Sequence, residues 1–155
     1  MTQTTNQSVM KVVEFQLKEK EYAIPIQQVR GIEKILHITR VPNTSHFVKG
    51  VINLRGIVTP IIDLRARFNI EESDYTDDSR IIIVNSDDFE VGLVVDMAND
   101  VIDIPSTNID PQPGVMGTEE AEFITGVVKI EKRLLILIDL MKVLNPTQFE
   151  LSGEQ

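Results

Sequence analysis

Apolar and polar residues alternate along the first part of the chain, and this alternation predicts short β-strands. Every second position is apolar on either side of a charged turn at residues 18–21: Val13, Phe15 and Leu17, then Tyr22, Ile24 and Ile26. A period of two residues is that of a strand with one buried face. Continuous apolar runs at 81–84 and 91–95 predict further strands, joined by a turn at 86–88. The prolines and glycines of residues 105–123 predict a long loop. Residues 26–35, apolar at every third position, predict a short amphipathic helix.

Residues 48–68 carry the strongest pattern, which is that of a β-hairpin. β-branched residues dominate Val48–Leu54 and residues 57–64, and this favours strands over a helix. Between the two arms, Gly56 can adopt the positive φ that a tight hairpin turn requires. Pro60 lies inside the second arm and cannot donate a ladder hydrogen bond, so we expect an edge or a bulge there.

The hairpin pattern occurs twice. Residues 50–68, the first repeat, overlay residues 126–144, the second repeat, without a gap. Upstream, residues 22–35 overlay residues 91–104 in the same apolar pattern. We therefore predict two copies of one small β module. Many short strands separated by turns are typical of all-β barrels rather than of a parallel sheet.

Length and composition limit the class of protein. The 155 residues suffice for one domain, or for two half-size modules that share a core. The absence of cysteine excludes disulfides and thiolate metal sites, and agrees with a reducing compartment. No apolar run approaches the ~20 residues of a membrane-spanning helix, and the N-terminus lacks a secretory pattern. These features predict a cytoplasmic protein without direct membrane insertion.

The net charge of −9 bears on partners. Nucleic-acid binding relies on clustered Lys and Arg that release counterions, so an acidic chain argues against it. The same charge disfavours anionic membrane surfaces. The alternative is that the charge only keeps the protein soluble.

The residue types that carry chemistry are sparse, and we predict that the protein is not an enzyme. His37 and His46 are the only histidines, and neither has the spacing of a metal site. Asp63 and Asp139 occupy equivalent helix-start positions in the two repeats, so helix capping explains both. There is no Gly-rich phosphate loop or nucleophile elbow. We therefore expect no cofactor and no metal.

The two hairpins differ most at their turns. The first turn, residues 53–56, sets the forked guanidinium of Arg55 beside the amide of Asn53, which suits carboxylate recognition or an internal ion pair. The second turn, residues 129–132, is a generic charged turn. The alternative is that Gly56 serves the turn alone and Arg55 is solvated.

Together these residues resemble the CheW family of bacterial chemotaxis coupling proteins. The most specific part is VPNTSHFVKGVINLRGIVTPIIDLRARF at residues 41–68, which contains the NLRG turn. Residues 87–104 and 124–144 resemble later segments of the family, and the resemblance covers about 9–149.

The resemblance implies an all-β fold of two small five-stranded SH3-like β-barrels that share an inter-barrel apolar core, with short helical turns. The first module would span roughly residues 9–76 and the second roughly 77–149, with strands that can interleave. Residues 1–8 and 150–155 are expected to be flexible tails.

The family also implies a non-catalytic adaptor. Its members couple the cytoplasmic tips of chemoreceptors to the regulatory domain of the histidine kinase CheA and help to assemble arrays. The chain has no room for a receiver domain, so we interpret it as the stand-alone adaptor. Two alternatives remain: a coupling module of another chemosensory kinase pathway, and, more remotely, a small-ligand-binding β-barrel.

Position by position, the resemblance implies a receptor-binding region made of Val29, Gly50, Asn53, Arg55 and Gly56. In the family, the arginine of the NLRG turn can pair with an acidic residue on the earlier segment. That place holds Gly31 here, so the ion pair is either absent or formed with Glu33. Kinase contacts are expected at exposed apolar positions on the end of one barrel, which the sequence does not identify.

Overall fold

Short β-strands dominate the computed structural model, which describes residues 8–42, 44–86, 89–111 and 122–144. The strands in chain order are β1 (Val9–Leu17), β2 (Lys20–Pro25), β3 (Val29–Lys34), β4 (Val48–Leu54), β5 (Ile57–Asp63), β6 (Arg80–Ser86), β7 (Phe89–Val95), β8 (Met97–Pro105), β9 (Ile109–Asp110), β10 (Ile124–Ile130) and β11 (Arg133–Ile138). Two single-turn helices, α1 (Leu64–Arg67) and α2 (Leu140–Val143), follow β5 and β11.

These strands form two sheets, so the predicted all-β fold is confirmed. The first sheet has five strands in the order β3-β6-β7-β5-β4, and the second has six in the order β8-β1-β2-β11-β10-β9. Pairing is antiparallel except between β5 and β7 and between β11 and β2. The sheets do not follow a division near residue 76, because β1 and β2 join the later strands, as the predicted interleaving allows.

Each sheet curls until its edges meet. After β3, Thr39 exchanges both backbone hydrogen bonds with Val51 of β4, at N···O distances of 2.8 and 2.9 Å. In the second sheet β9 continues the chain of β8 and pairs with β10. Counting β8 and β9 as one bent strand gives both sheets the same five-stranded plan, which matches the internal repeat in the sequence.

Three apolar clusters form the core of the described residues. One fills the first sheet: Ile52, Leu54, Ile61, Ile81, Ile83 and Val94. A second fills the second sheet: Val12, Ala23, Ile104, Val128, Leu135 and Leu137. The third and largest, here called the inter-sheet core, draws on both sheets and includes Phe15, Tyr22, Ile62, Phe68, Leu93, Phe123 and Ile136. The two sheets therefore share a core, as the family resemblance implies.

The two helical turns begin as predicted. The carboxylate of Asp63 accepts backbone N–H groups at the start of α1, and Asp139 does the same at the start of α2. A side-chain acceptor at this position satisfies N–H groups that the first helical turn leaves unpaired. In each repeat, therefore, the hairpin is followed by a helical turn that an aspartate caps.

The predicted amphipathic helix at residues 26–35 is wrong. A 3₁₀ turn (Ile26–Gln28) is followed directly by β3. Within β3 half-buried and exposed residues alternate, and Ile32 points outward with 42% of its surface exposed. The apolar spacing of three therefore mixed residues from both faces of a strand. β-Branched residues favour the extended conformation that pairing with β6 completes, and Gly31 disfavours a helix.

Three other predictions concern strand edges, loops and tails. Pro60 lies where β5 has only β4 beside it, because pairing with β7 starts at Ile61. The predicted turn at 86–88 and the loop at 105–123 fall partly outside the described residues, and so do the predicted tails. The described part of that loop contains a 3₁₀ turn (Ser106–Asn108) and β9.

Candidate functional site

The β4–β5 turn forms an exposed, conformationally defined tip. Arg55 and Gly56 both have positive φ, at 51° and 85°. The N–H of Gly56 donates to Oδ1 of Asn53 at 2.8 Å, which holds the turn closed. A Cβ atom added at Gly56 would meet nothing within 4 Å, so the backbone conformation is what favours glycine there. The turn projects the guanidinium of Arg55 into solvent.

Arg55 faces Glu33 across the end of the first sheet. Its Nη1 lies 3.6 Å from Oε2 of Glu33, with 71% of the Arg55 side chain and 29% of the Glu33 side chain exposed. This is the ion pair for which the sequence offered Glu33 in place of Gly31. A long, exposed pair contributes little to stability. The guanidinium therefore remains available to a carboxylate on another molecule.

Gly50 lies elsewhere, in the wall of the first sheet. It is buried with φ of 144°, and an added Cβ would stand 2.1 Å from the carbonyl oxygen of Thr39. Gly126, its equivalent in the second repeat, is similarly close to Ile109 and Asp110. Both glycines allow the close backbone approach that closes a sheet. A part for Gly50 in receptor binding remains a prediction, and its position in the fold gives it this structural role.

Val29 is also separate from the tip. It opens β3 opposite Val84 and packs, half-buried, against the inter-sheet core. The structure thus brings together Asn53, Arg55, Gly56 and Glu33 but places Val29 and Gly50 at other points of the first sheet.

Two exposed apolar residues follow the turn. Ile57 is 59% exposed and Val58 68% exposed, and Val58 lies opposite Asn53 in the hairpin. The corresponding position of the second repeat holds Leu134, which is 56% exposed. Sequence reasoning did not find them, because a continuous apolar run does not reveal which half of a strand is buried. They are the exposed apolar residues that the described hairpin ends offer to a partner.

Arg65 and Asp96 form a partly buried ionic link that sequence reasoning missed. Arg65 donates to both carboxylate oxygens, with Nε–Oδ1 at 2.9 Å and Nη2–Oδ2 at 2.5 Å, and the N–H of Lys18 adds a bond of 2.6 Å. Burial opposes ionisation of Asp96, but these hydrogen bonds outweigh it and leave its pKa below the ordinary value. The link ties α1 to the β1–β2 turn of the second sheet.

A second ionic cluster lies on the second sheet. Arg133 binds Glu14, which is 3% exposed, and Glu21, with Nη2–Oε1 at 2.6 Å. Burial raises the pKa of Glu14, whereas the hydrogen bond from Arg133 lowers the pKa of Glu21. The three groups come from neighbouring strands and satisfy one another. They form a structural network rather than a reactive site.

A surface cavity of about 480 Å³ lies beside the loop that leads into β4. Two of the polar groups that line it are already paired: Lys49 with Glu72 at 2.6 Å, and Tyr75 with Asp63 at 2.9 Å. Apolar side chains fill the inside of both sheets. In the described ranges, no three His, Asp or Glu side chains are placed to hold a metal ion.

Comparison with known proteins agrees with this architecture. The pattern that defines the CheW-like domain family matches residues 11–148. The chain belongs to the CheW-like family. It is 47% identical to the chemotaxis protein CheW of Bacillus subtilis over 135 residues, which cover 87% of this chain and 86% of that protein. It is 38% identical to the CheW of Klebsiella aerogenes, over 88% of this chain and 82% of that protein.

A solved structure extends the CheW-like match to three dimensions. The scaffolding protein TtCheW from Thermoanaerobacter tengcongensis superposes with a TM-score of 0.84 at 37% identity, covering 93% of this chain and 99% of that one. The paired sheets are therefore the CheW-like architecture. Within the described residues, neither helix has the length and apolarity needed to cross a bilayer.

Proposed function

We propose that the chain is a non-catalytic adaptor of bacterial chemotaxis. It would couple the cytoplasmic tips of chemoreceptors to the histidine kinase CheA and help to assemble their arrays. The observation that carries the proposal is the CheW-like match over residues 11–148, together with relatives named as chemotaxis proteins. The cytoplasmic location predicted from the sequence is part of the same proposal. Coupling in another chemosensory kinase pathway remains the alternative.

The receptor tip is proposed to bind at the β4–β5 turn. Arg55 is exposed and sits on a fixed turn, and among the described residues its ion pair is the long one to Glu33. A planar guanidinium in that position can bind a carboxylate of a receptor helix through two hydrogen bonds. Asn53, which holds the turn closed through Gly56, would orient it.

The kinase regulatory domain is proposed to dock on the apolar residues of the same hairpin. Ile57 and Val58 are adjacent and exposed, whereas the second repeat pairs its exposed Leu134 with the charged Arg133. An exposed apolar side chain such as that of Val58 can serve as an anchor once a partner buries it, since a few buried anchors carry most of the binding energy of an interface.

Arg55→Glu tests the receptor site. The variant should fold normally, because the Arg55–Glu33 pair is exposed and long. It should bind a receptor-tip fragment at least tenfold more weakly, the effect of losing about 1.4 kcal/mol of binding energy. Titration calorimetry measures the affinity, and a melting curve checks the fold. Unchanged affinity in a folded variant would remove Arg55 from the site.

Val58→Glu tests the kinase site, and Leu134→Glu is its matched control at the equivalent position. We expect saturable binding of the wild type to the regulatory domain of a CheA-type kinase, with the negative heat-capacity change of apolar burial. Val58→Glu should lose about tenfold or more in affinity, and Leu134→Glu should stay near the wild type. The reverse order would move the kinase site to the second sheet. No binding by the folded wild type would favour the other pathway.

A further inference from the structure

One arginine is buried where the two sheets meet. Arg67, the last residue of α1, is only 7% exposed. The carbon at the centre of its guanidinium lies 4.4 Å from the middle of the Phe47 ring and 4.5 Å from that of Phe123. A planar cation between two aromatic rings is a geometry that arginine permits and lysine does not.

Hydrogen bonds also hold the edge of the Arg67 guanidinium. Nε of Arg67 donates to the carbonyl oxygen of Val143 at 2.8 Å, and Nη2 donates to that of Lys142 at 3.1 Å. Both carbonyls belong to the end of α2, where a helix leaves carbonyls without intrahelical partners. Burial lowers the pKa of Arg67, but arginine stays protonated in proteins. Arg67 therefore joins the helical turn of the first repeat to that of the second.

This link breaks the symmetry of the duplicated chain. Extending the overlay of the two repeats places Phe47 on Phe123 and Arg67 on Val143. The two phenylalanines have equivalent surroundings, since their carbonyls accept the N–H of Asp63 and of Asp139 at 2.9 and 2.7 Å. Arg67 and Val143 differ, because Arg67 supplies a guanidinium and Val143 supplies a carbonyl that accepts a hydrogen bond from it.

We propose that Arg67 is a positioning residue that fixes the angle between the two sheets. The apolar contacts of the inter-sheet core hold the sheets together, but the hydrophobic effect is non-directional. The hydrogen bonds of Arg67 to the end of α2 and its contacts with Phe47 and Phe123 are directional, and they set one orientation.

A distance measurement across the two sheets tests the proposal. The chain has no cysteine, so spin labels can be attached at Lys34→Cys in β3 and Lys129→Cys in β10, two exposed positions on different sheets. With Arg67 present, pulsed electron paramagnetic resonance should give one narrow peak in the distribution of distances between the two labels. In Arg67→Met, which keeps an extended apolar stem but loses the guanidinium, the peak should broaden and shift.

Two further variants make the measurement decisive. Arg80→Met removes an arginine that also donates to two carbonyls, those of Asp77 and Ser79, but within the loop before β6; its peak should match the wild type. Arg67→Lys keeps the charge without the fork and should give an intermediate width. It replaces Arg67→Met in the comparison if that variant fails to fold.

The outcome that overturns the proposal is an unchanged distance peak in a folded Arg67 variant whose unfolding midpoint has fallen. Arg67 would then only stabilise the fold. Binding of a receptor-tip fragment and of the kinase regulatory domain, measured on the same variants, separates the two proposals. If the folded wild type binds neither partner, the proposed function fails, and the distance result still decides the role of Arg67.

Discussion

Two glycines of the same hairpin have different requirements. Gly50 needs space as well as its φ of 144°, since an added Cβ would lie 2.1 Å from a backbone oxygen of Thr39. Gly56 needs only its conformation, since an added Cβ meets nothing within 4 Å. Nothing in the sequence separates the two cases, because the approach of Thr39 depends on how the sheet closes.

Substituting alanine at each glycine should therefore give unequal losses of stability. Gly56→Ala should cost about 1 kcal/mol, the strain of a positive φ at a non-glycine residue. Gly50→Ala should cost several-fold more, because the Thr39–Val51 pairing that closes the first sheet must move. Urea unfolding of both variants measures the difference. Equal losses would show that closure at Thr39 contributes little.

Other single residues were predictable because their chemistry is local. Asp63 and Asp139 cap helical turns as expected, since a carboxylate before a short helical pattern acts on its own next residues. Glu33 could be named because it is the acid nearest in sequence to Gly31, the place where the family carries the partner of the NLRG arginine. Arg67 was not identified, because its partners Phe47 and Phe123 lie far apart in the chain and meet only across the two sheets.

At the scale of elements, the short α1 connects parts of the chain that the sheets keep apart. Arg65 joins Asp96, at the junction of β7 and β8, and through it the turn between β1 and β2. The partners are largely buried, with 14% and 31% of their side chains exposed. Such a bidentate pair can stabilise the fold more than the exposed Lys11–Asp103 pair on β1 and β8.

The stability contribution of Asp96 should depend on pH. Its folded-state pKa is lowered, so ionised Asp96 stabilises the fold fully above its ordinary value of 3.8, and this is lost as the pH falls through the folded pKa. Asp96→Asn should cost about 1–2 kcal/mol near pH 7 and progressively less toward about pH 2.

Urea unfolding of wild type and variant at several pH values checks this. Asp103→Asn, in the exposed pair, should change the unfolding free energy little at any pH. If Asp96→Asn lowered the free energy of unfolding by the same amount at every pH down to strong acid, the charge of the Asp96 carboxylate would not be the source of the stabilisation.

Elements with a clear period and a local turn were predicted well. The β4–β5 hairpin has the predicted bounds to within a residue, because β-branched arms flank a glycine turn. Residues 26–35 were misread, because spacing alone cannot separate a helix from a strand whose two faces both carry apolar residues. The alternating burial of β3 is that of a strand, and it depends on pairing with β6, which lies far along the chain.

For the whole molecule, the largest core lies between the sheets rather than inside either one. Neighbours on β5 illustrate the division, since Ile61 faces the interior of the first sheet and Ile62 faces the inter-sheet core. The repeat in the sequence indicated two modules, but it could not show that β1 and β2 would pair with β8 and β11. The strands with which β1 and β2 pair depend on which strand edges remain unpaired once the first sheet has closed.

The shared core should make the two sheets unfold together. The only two tyrosines report on different sheets, because Tyr22 lies in β2 and Tyr75 bonds Asp63 at the end of β5. With fluorotyrosine incorporated, NMR should show both resonances changing at the same urea concentration. Ile62→Ala should lower the free energy of unfolding by about 2–5 kcal/mol. The urea midpoints of both resonances should therefore fall together. Separate midpoints would indicate sheets that fold independently.

The interleaving of strands also bears on the order of events during synthesis. All five strands of the first sheet lie between Val29 and Val95, so this sheet has its full set of strands while the C-terminal part is still on the ribosome. β1 and β2 leave the ribosome earliest, yet β8 and β11, the strands that pair with them, are made only after the first sheet. The first hairpin to be made therefore keeps Val12 and Ala23 uncovered until β10 and β11 have been made.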